Sequence, residues 1–371
     1  MIAFLIHRLY PYFPGGVELF HYFFIKEISK KFPCLVFSFK DVNFNSDNVK
    51  VLTINPFKFK KVTLSTLYYH FKYLIQYRKK IQLIHIPYTS KHVFQCYHII
   101  FFSKIFNIPY LLRIHGGGMY PCRPFWLHKL YFKNAAAVIA VSKTLKNEYE
   151  KRFGIFIKYI PSYLPFFKSE LDKNSLRKKY GFLNNDTILL FVGALKKIKG
   201  PDILIKALHI LGKETIKKHS LKLLLLGDGE MSSFLKEMVD KYDLSFCVKF
   251  LGHIPYEKIH EFYQIADIYV IPSLVEARPL ALSEALYNGL PVIASNISTL
   301  RELIKEGENG LLFSPGSSEE LSEKIFVLLK NSSLRESFTR YNKEIYGQRD
   351  YFREMVNEYI DLYLSLMEKI R

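Results

Sequence analysis

Ile271-Pro-Ser-Leu-Val-Glu-Ala-Arg-Pro-Leu-Ala-Leu-Ser-Glu-Ala-Leu-Tyr-Asn-Gly-Leu-Pro291 is the stretch whose reading decides the fold. It follows the apolar run Ile268-Tyr-Val-Ile-Pro272, which reads as a buried strand. The chain turns through Pro272, Ser273 and Pro279, then enters a helix-forming run from Leu280 to Tyr287. Gly289 and Pro291 supply the C-terminal stop. Val292-Ile-Ala-Ser295 reads as the next strand. Glu276 lies in the loop after the first strand, and Glu284 lies about one turn inside the helix. In a parallel α/β sheet, ligands bind outside the carboxyl ends of the strands. A helix N-terminus there offers unpaired N–H groups and a positive dipole to an anion. Carboxylates beside it suit sugar hydroxyls. The stretch therefore predicts a site for a phosphorylated, hydroxyl-rich ligand.

The 371 residues suggest two domains, and 49% hydrophobic content is enough for two cores. Cys34, Cys96, Cys122 and Cys247 are scattered without a CxxC pair. That is neither a disulfide framework nor a zinc site, and it fits a reducing cytosol. No apolar run reaches the roughly 18 residues that span a bilayer. Met1-Ile-Ala-Phe-Leu-Ile6 has no basic n-region and reads as a first strand rather than a signal peptide. The net charge is +19, and it is unevenly placed. Between Asn48 and Asn147 there is no Asp or Glu, against 16 Lys and Arg interleaved with many Phe and Tyr. Such a field suits an anionic membrane, nucleic acid or an anionic acceptor.

Strand and helix patterns alternate along both halves, which predicts doubly wound parallel sheets. The first series contains strands at 2–6, 35–39, 49–54, 81–86, 110–114 and 137–141, with helices at 17–30, 93–106, 125–132 and 143–153. Residues 168–185 read as a polar linker. The second series contains strands at 188–192, 221–226, 248–251, 268–272 and 292–295, with 310–313 following. Its helices are expected at 202–211, 231–242, 256–266, 280–287 and 318–330, and a long amphipathic helix closes the chain at 351–370. Pro56–Lys80, rich in aromatics and lysine, has three readings: a membrane-surface helix, a nucleic-acid surface, or a core helix with a solvated basic face.

Several fragments, in order, resemble one family. They are Phe191-Val-Gly193 with Lys199-Gly200, Gly227-Asp-Gly229, Phe250-Leu-Gly-His-Ile254, Ala266-Asp267 leading into Pro272-Ser273, the Glu276-x7-Glu284 pair, and Asn309-Gly310. Together they resemble family 4 glycosyltransferases, the retaining enzymes among the glycosyl transferases group 1. The resemblance implies a GT-B fold: two Rossmann-like α/β domains facing each other across a cleft, with a C-terminal helix packing back on the first domain. The implied domains are 1–168 for the acceptor, 169–346 for the nucleotide sugar, and 347–371 as the returning helix.

The resemblance also implies residue roles. Glu276 would face the donor sugar and Glu284 the ribose. Lys199 would bind the pyrophosphate, aided by the backbone N–H groups of Leu280 and Ala281. Gly193, Gly227 and Asp228 would line the donor site, and Ile254 would meet the base through its backbone. Gly15 and Gly16, in the loop after the first strand, would close over the phosphates. His115, ending the strand at Ile114 where the family has Thr-x-His, would sit by the reacting carbon. His85, His98 and His128 have no motif support and read as structural. The alternative reading of Glu284 is a solvated helix carboxylate, and of Glu276 a loop carboxylate.

Some positions depart from the family pattern. Ala194 stands where Arg is usual, removing one charged phosphate contact. Arg278 stands where Phe is frequent and restores a positive charge nearby. Ser162-Tyr163 replaces an Asn-Gly turn, and Asn134 replaces the Ala before an expected Asp.

The expectation is a hexosyltransferase moving a sugar from a UDP- or GDP-sugar, with retention, to a lipid-linked glycan of a surface polysaccharide or lipopolysaccharide. No cofactor and no metal are expected. The enzyme would sit at the cytoplasmic face of the membrane, on anionic lipid, without a nucleic-acid partner. The rivals are a nucleotide-sugar epimerase of the same fold and a nucleic-acid-binding protein using the basic half.

Overall fold

Strand runs in both halves are apolar at nearly every position, as expected for strands covered on both faces. The structure, a computed structural model, describes residues 1–13, 15–58, 62–88, 98–116 and 125–368. It divides into one unit of Met1–Pro165 with Tyr351–Arg371 and a second of Phe166–Asp350.

In the first unit, strands β1 (Ile2–Leu5), β2 (Cys34–Ser38), β3 (Val49–Thr53), β4 (Leu83–Tyr88), β5 (Tyr110–Ile114), β6 (Ala137–Ala140) and β7 (Lys158–Tyr159) form one parallel sheet. Its order is β3-β2-β1-β4-β5-β6-β7. The final helix, Tyr351–Glu368, packs on this sheet. Its Tyr363 hydroxyl lies 2.5 Å from His85 Nδ1 on β4, and its Tyr359 ring meets Phe24 edge-on. The end of the expected helix, 369–370, lies outside the described residues, as do 93–97 of the expected 93–106 helix, Pro14, and Gly117-Gly118 after His115.

In the second unit, β8 (Thr187–Val192), β9 (Leu221–Leu226), β10 (Val248–Gly252), β11 (Ile268–Ile271), β12 (Val292–Ser295) and β13 (Gly310–Phe313) are also all parallel. Their order is β10-β9-β8-β11-β12-β13, the doubly wound order with its switch point between β8 and β11. Side-chain alternation divides the core into two layers. Leu189, Leu223 and Leu225 enter one, while Leu190, Leu224 and Leu226 enter the other.

Two features differ from expectation. The segment read as a polar linker contains a helix, Lys173–Lys179, started by the Asp172 side chain accepting from Asn174 and Ser175 N–H. Its Arg177 is buried and reaches Asp267 Oδ2 at 2.6 Å, Ile265 O and Asn184 O. Tertiary ion pairing thus orders a sequence too polar to order itself. A helix at Ser332–Tyr346 was not expected either. Asn331 caps it, and buried Asn342 donates to Leu290 O and Asn309 O. Its amphipathic spacing and its Asn-Ser-Ser start were the available signals.

Candidate functional site

β8 and β11 diverge at the switch point, and the chain leaving each one carries the residues of interest. After β8, Gly193 N–H donates to Leu226 O, and Leu195 N–H donates to Asp228 O. Gly227, at φ +134°, fits only because it lacks a side chain; a Cβ there would lie 2.0 Å from Gly193 O. Gly193, Gly227 and Asp228 are thereby brought together. The Asp228 carboxylate is occupied by its own turn. It accepts from Gly229 N–H at 2.7 Å and from the Ser232 hydroxyl at 2.5 Å, and these bonds hold it below the usual carboxylate range.

Lys197–Lys199 forms a single 3-10 turn, ended by Gly200 in the left-handed region at φ +68°. A Cβ on Gly200 would meet Pro272 O at 2.1 Å, so glycine allows this turn to lie against the loop after β11. Leu274 N–H donates to Ile198 O across the same contact. The two loops are therefore clamped together, and Lys199 Nζ reaches Glu276 Oε1 at 2.6 Å. Ser273 Oγ donates to the same oxygen at 2.8 Å. Glu276 is 7% exposed at its side chain and Lys199 28%, so the ammonium is the more accessible partner. Ser273 was not singled out in the sequence, although it sits in the Pro-Ser pair opening the loop.

The helix Leu280–Tyr287 begins directly after this loop, with Pro279 at its N-cap and no side chain capping it. The first N–H groups, including those of Leu280 and Ala281, thus have no intrahelical acceptor. Arg278 is buried just before the helix start. Ile254 follows β10 and packs among the apolar residues under this helix.

Glu284 is not a solvated helix carboxylate. It is 7% exposed, accepts from the Tyr263 hydroxyl at 3.1 Å, and is also hydrogen-bonded by Tyr256. Burial pushes its pKa up to about 7, with the two tyrosines working in the opposite direction. It borders a recess lined by Phe166, Phe167, Tyr256, Ile259, His260, Tyr263 and Asn288. With the open space at its mouth included, that recess is about 210 Å³.

A carboxyl raised from 4.5 to about 7 keeps in the native state a proton that the unfolded chain releases. Its contribution to stability is therefore lost as pH rises from 4.5 through 7. Glu284→Gln removes that loss. Each pH unit across this window is worth about 1.4 kcal/mol. We therefore expect the variant to be more stable than the parent by about 3 kcal/mol at pH 8 and equal to it at pH 4. Urea denaturation at the two pH values checks this; equal differences at both would refute the burial effect.

The remaining residues lie in the first unit. Gly15 precedes and Gly16 begins the helix Gly16–Ile28, and a Cβ on Gly15 would strike the Glu18 carboxylate. His115 follows β5. It is half-buried, its Nε2 is enclosed without a partner among the described residues, and burial holds its pKa well below 6.5. His21 packs 4.7 Å from it, centroid to centroid. His85, His98 and His128 all have packing roles: His85 meets Tyr363, His128 meets the Tyr88 hydroxyl, and His98 meets His70.

The Pro56–Lys80 region forms the helix Val62–Tyr77; residues 59–61 lie outside the described residues. Its faces are inverted relative to an ordinary core helix. Ser65, Thr66, His70 and Leu74 are buried, while Leu64, Tyr68, Phe71 and Ile75 are exposed. Those four recur at helical spacing and make one apolar stripe.

Residues 172–345 match the family of glycosyl transferases group 1. The chain is 26% identical over 283 residues to an uncharacterized glycosyltransferase, MJ1607, of Methanocaldococcus jannaschii, covering 72% of each. It is 26% identical over 253 residues to the alpha-monoglucosyldiacylglycerol synthase of Acholeplasma laidlawii, covering 66% of this chain and 61% of that one. The crystal structure of Alr3699/HepE of Anabaena in complex with UDP superposes with a TM-score of 0.79, at 24% identity, over 98% of this chain and 99% of that one. That likeness shows the GT-B fold. The matched segment coincides with the unit holding Lys199, Glu276 and Glu284, and it is this unit that carries the likeness to the glycosyl transferases group 1.

Proposed function

We propose that this glycosyltransferase moves a hexose from a UDP- or GDP-sugar to a hydroxyl of a lipid-linked glycan, with retention of configuration. The observation that carries the donor half is the Lys199–Glu276 pair beside an uncapped helix N-terminus at the β8/β11 switch point. The donor pyrophosphate takes the Lys199 ammonium, the N–H groups of Leu280 and Ala281, and positive charge from Arg278. Gly193 and Gly227 let it approach the backbone. Glu276, released from Lys199, then faces the sugar. Glu284 accepts from the ribose, and Ile254 meets the base through its backbone. In the first unit the residues assigned to the reaction are His115, Gly15 and Gly16. Charge developing on the leaving phosphate is stabilised by groups already in place, a major source of rate in such sites. The leaving phosphate accepts the acceptor hydroxyl's proton, so no protein base is required.

Support for a UDP-sugar is the UDP bound by the Anabaena neighbour. Melting curves test the donor. A ligand that binds only the native state raises the melting temperature, so one nucleotide sugar should raise it by several degrees and the other should not. If neither UDP- nor GDP-sugars moved it, the donor reading would fail.

The acceptor reading rests on the first unit's surface. The exposed stripe Leu64, Tyr68, Phe71 and Ile75 is flanked by Lys72, Arg78, Lys79 and Lys80. Apolar residues at headgroup depth with basic neighbours suit an anionic bilayer surface. No helix among the described residues is long and apolar enough to cross a membrane, so attachment would be peripheral. The Acholeplasma relative is named for making a glucosylated diacylglycerol, a lipid product. The protein should sediment with vesicles containing phosphatidylglycerol, and a Leu64→Ser/Phe71→Ser/Ile75→Ser variant should stay in solution. Equal sedimentation of the two would remove the membrane surface from the reading.

A further inference from the structure

Arg113 sits in β5 with 0% exposure, and no carboxylate pairs with it among the described residues. Its guanidinium lies between two rings, 4.2 Å from the centroid of Phe20 and 4.9 Å from that of Tyr359. Nη2 donates to the Ser162 hydroxyl at 2.7 Å, while Nε and Nη1 find no hydrogen-bond partner among the described residues. Residues 59–61, 89–97 and 117–124 cannot supply a carboxylate wherever they lie, because residues 48–147 contain no Asp or Glu at all.

Three imidazoles surround this charge. The His21 ring packs against both of the others, its centroid 4.7 Å from that of His115 and 6.0 Å from that of His85. Each of the three has an enclosed Nε2 without a partner among the described residues. His21 Nδ1 lies 2.8 Å from Val17 O, so it carries the proton and leaves Nε2 as an acceptor. His85 Nδ1 lies 2.5 Å from the Tyr363 hydroxyl, and with that hydroxyl as the donor the His85 proton sits on Nε2. The result is a buried group of N–H donors, at Arg113 and His85, around one fixed positive charge.

We propose that the first unit holds an internal site for one small monovalent anion, of halide kind, bound by Arg113 with His85. An unpaired buried cation costs several kcal/mol, and aromatic faces offset only part of that. Its in-plane N–H groups each lose a hydrogen bond besides. A monovalent anion neutralises the charge one for one. Burial keeps all three imidazoles uncharged at neutral pH, and Arg113, though pulled down to about 9, stays protonated there. The net charge to be matched is therefore one. The enclosing rings of Phe20 and Tyr359 favour a compact, weakly hydrated ion over an extended carboxylate.

The test uses the full chain in chloride-free buffer, with sodium chloride replacing sodium gluconate at constant ionic strength. At chloride about 100-fold above its Kd, the melting temperature should rise by roughly 5–10 °C along a single-site curve. Arg113→Met should lose that dependence. No difference between the two salts would overturn the proposal, as would an Arg113→Met protein that keeps the full response. Where that variant does not fold, crystals of the parent grown in bromide decide. An anomalous peak within hydrogen-bond distance of Arg113 supports the site, and ordered water alone at that position overturns it.

Discussion

Lys199→Ala and Glu276→Ala are each expected to lower sugar transfer by at least about a hundredfold, the size of effect seen when one preorganised charge-stabilising group is removed. The two should differ in stability. Glu276 is nearly enclosed, and its Oε1 depends on Lys199 and Ser273. Lys199→Ala leaves that carboxylate with Ser273 alone on this oxygen, a cost of about 1–3 kcal/mol. Glu276→Ala leaves an ammonium that can turn to solvent, at little cost. The double variant should then be more stable than Lys199→Ala alone while remaining as inactive. A double-mutant cycle on denaturation midpoints, run beside a transfer assay, separates the two roles. Full transfer by either single variant would remove that residue from the donor site.

Asp267→Ala is expected to destabilise the second unit by about 3 kcal/mol, the lower end for breaking a buried ion pair. Asp267 is 23% exposed at its side chain, but its partner Arg177 is 4% exposed. The carboxylate holds Lys173 at 2.7 Å, Arg177 at 2.6 Å and the Ile188 N–H at 2.8 Å. It thereby ties the helix Lys173–Lys179 to the first residues of β8. Its loss strands a buried guanidinium and frees that helix together. Limited proteolysis should cut within 168–185 in the variant and not in the parent. Asp172→Ala, which removes only the helix cap, should cost about 1 kcal/mol and leave the cutting pattern largely unchanged. Similar losses in the two variants would mean that the cap, not the ion pair, orders this segment.

The contrast between Asp267 and Glu276 shows what motif order conveys and what it does not. Both lie in the matching run, nine residues apart. One fastens a helix to a strand, and the other faces a lysine at the switch point. Asn309 resembles Asp267 in this respect. It has 0% exposure and bonds to Lys305 N–H and Leu303 O, so its place in the pattern is explained by the turn before β13.

By itself, the sequence determined the strand runs, the parallel doubly wound class, the family resemblance and the placing of Glu276 and Glu284 around a strand–turn–helix. These are legible because hydrophobic periodicity, glycine and proline act over a few residues. Only the tertiary structure decided which polar groups are buried. Glu284 looks like an exposed helix carboxylate until Tyr256 and Tyr263, some twenty to thirty residues earlier, close over it. Residues 173–179 read as linker until Asp267 pairs with Arg177. The run Pro56–Lys80 reads as a membrane-surface helix, a nucleic-acid surface or a core helix until Ser65, Thr66 and His70 turn inward and Leu64, Tyr68, Phe71 and Ile75 outward. Arg113 gave no signal at all. Burial and charge pairing join residues far apart in the chain, and no local pattern records them.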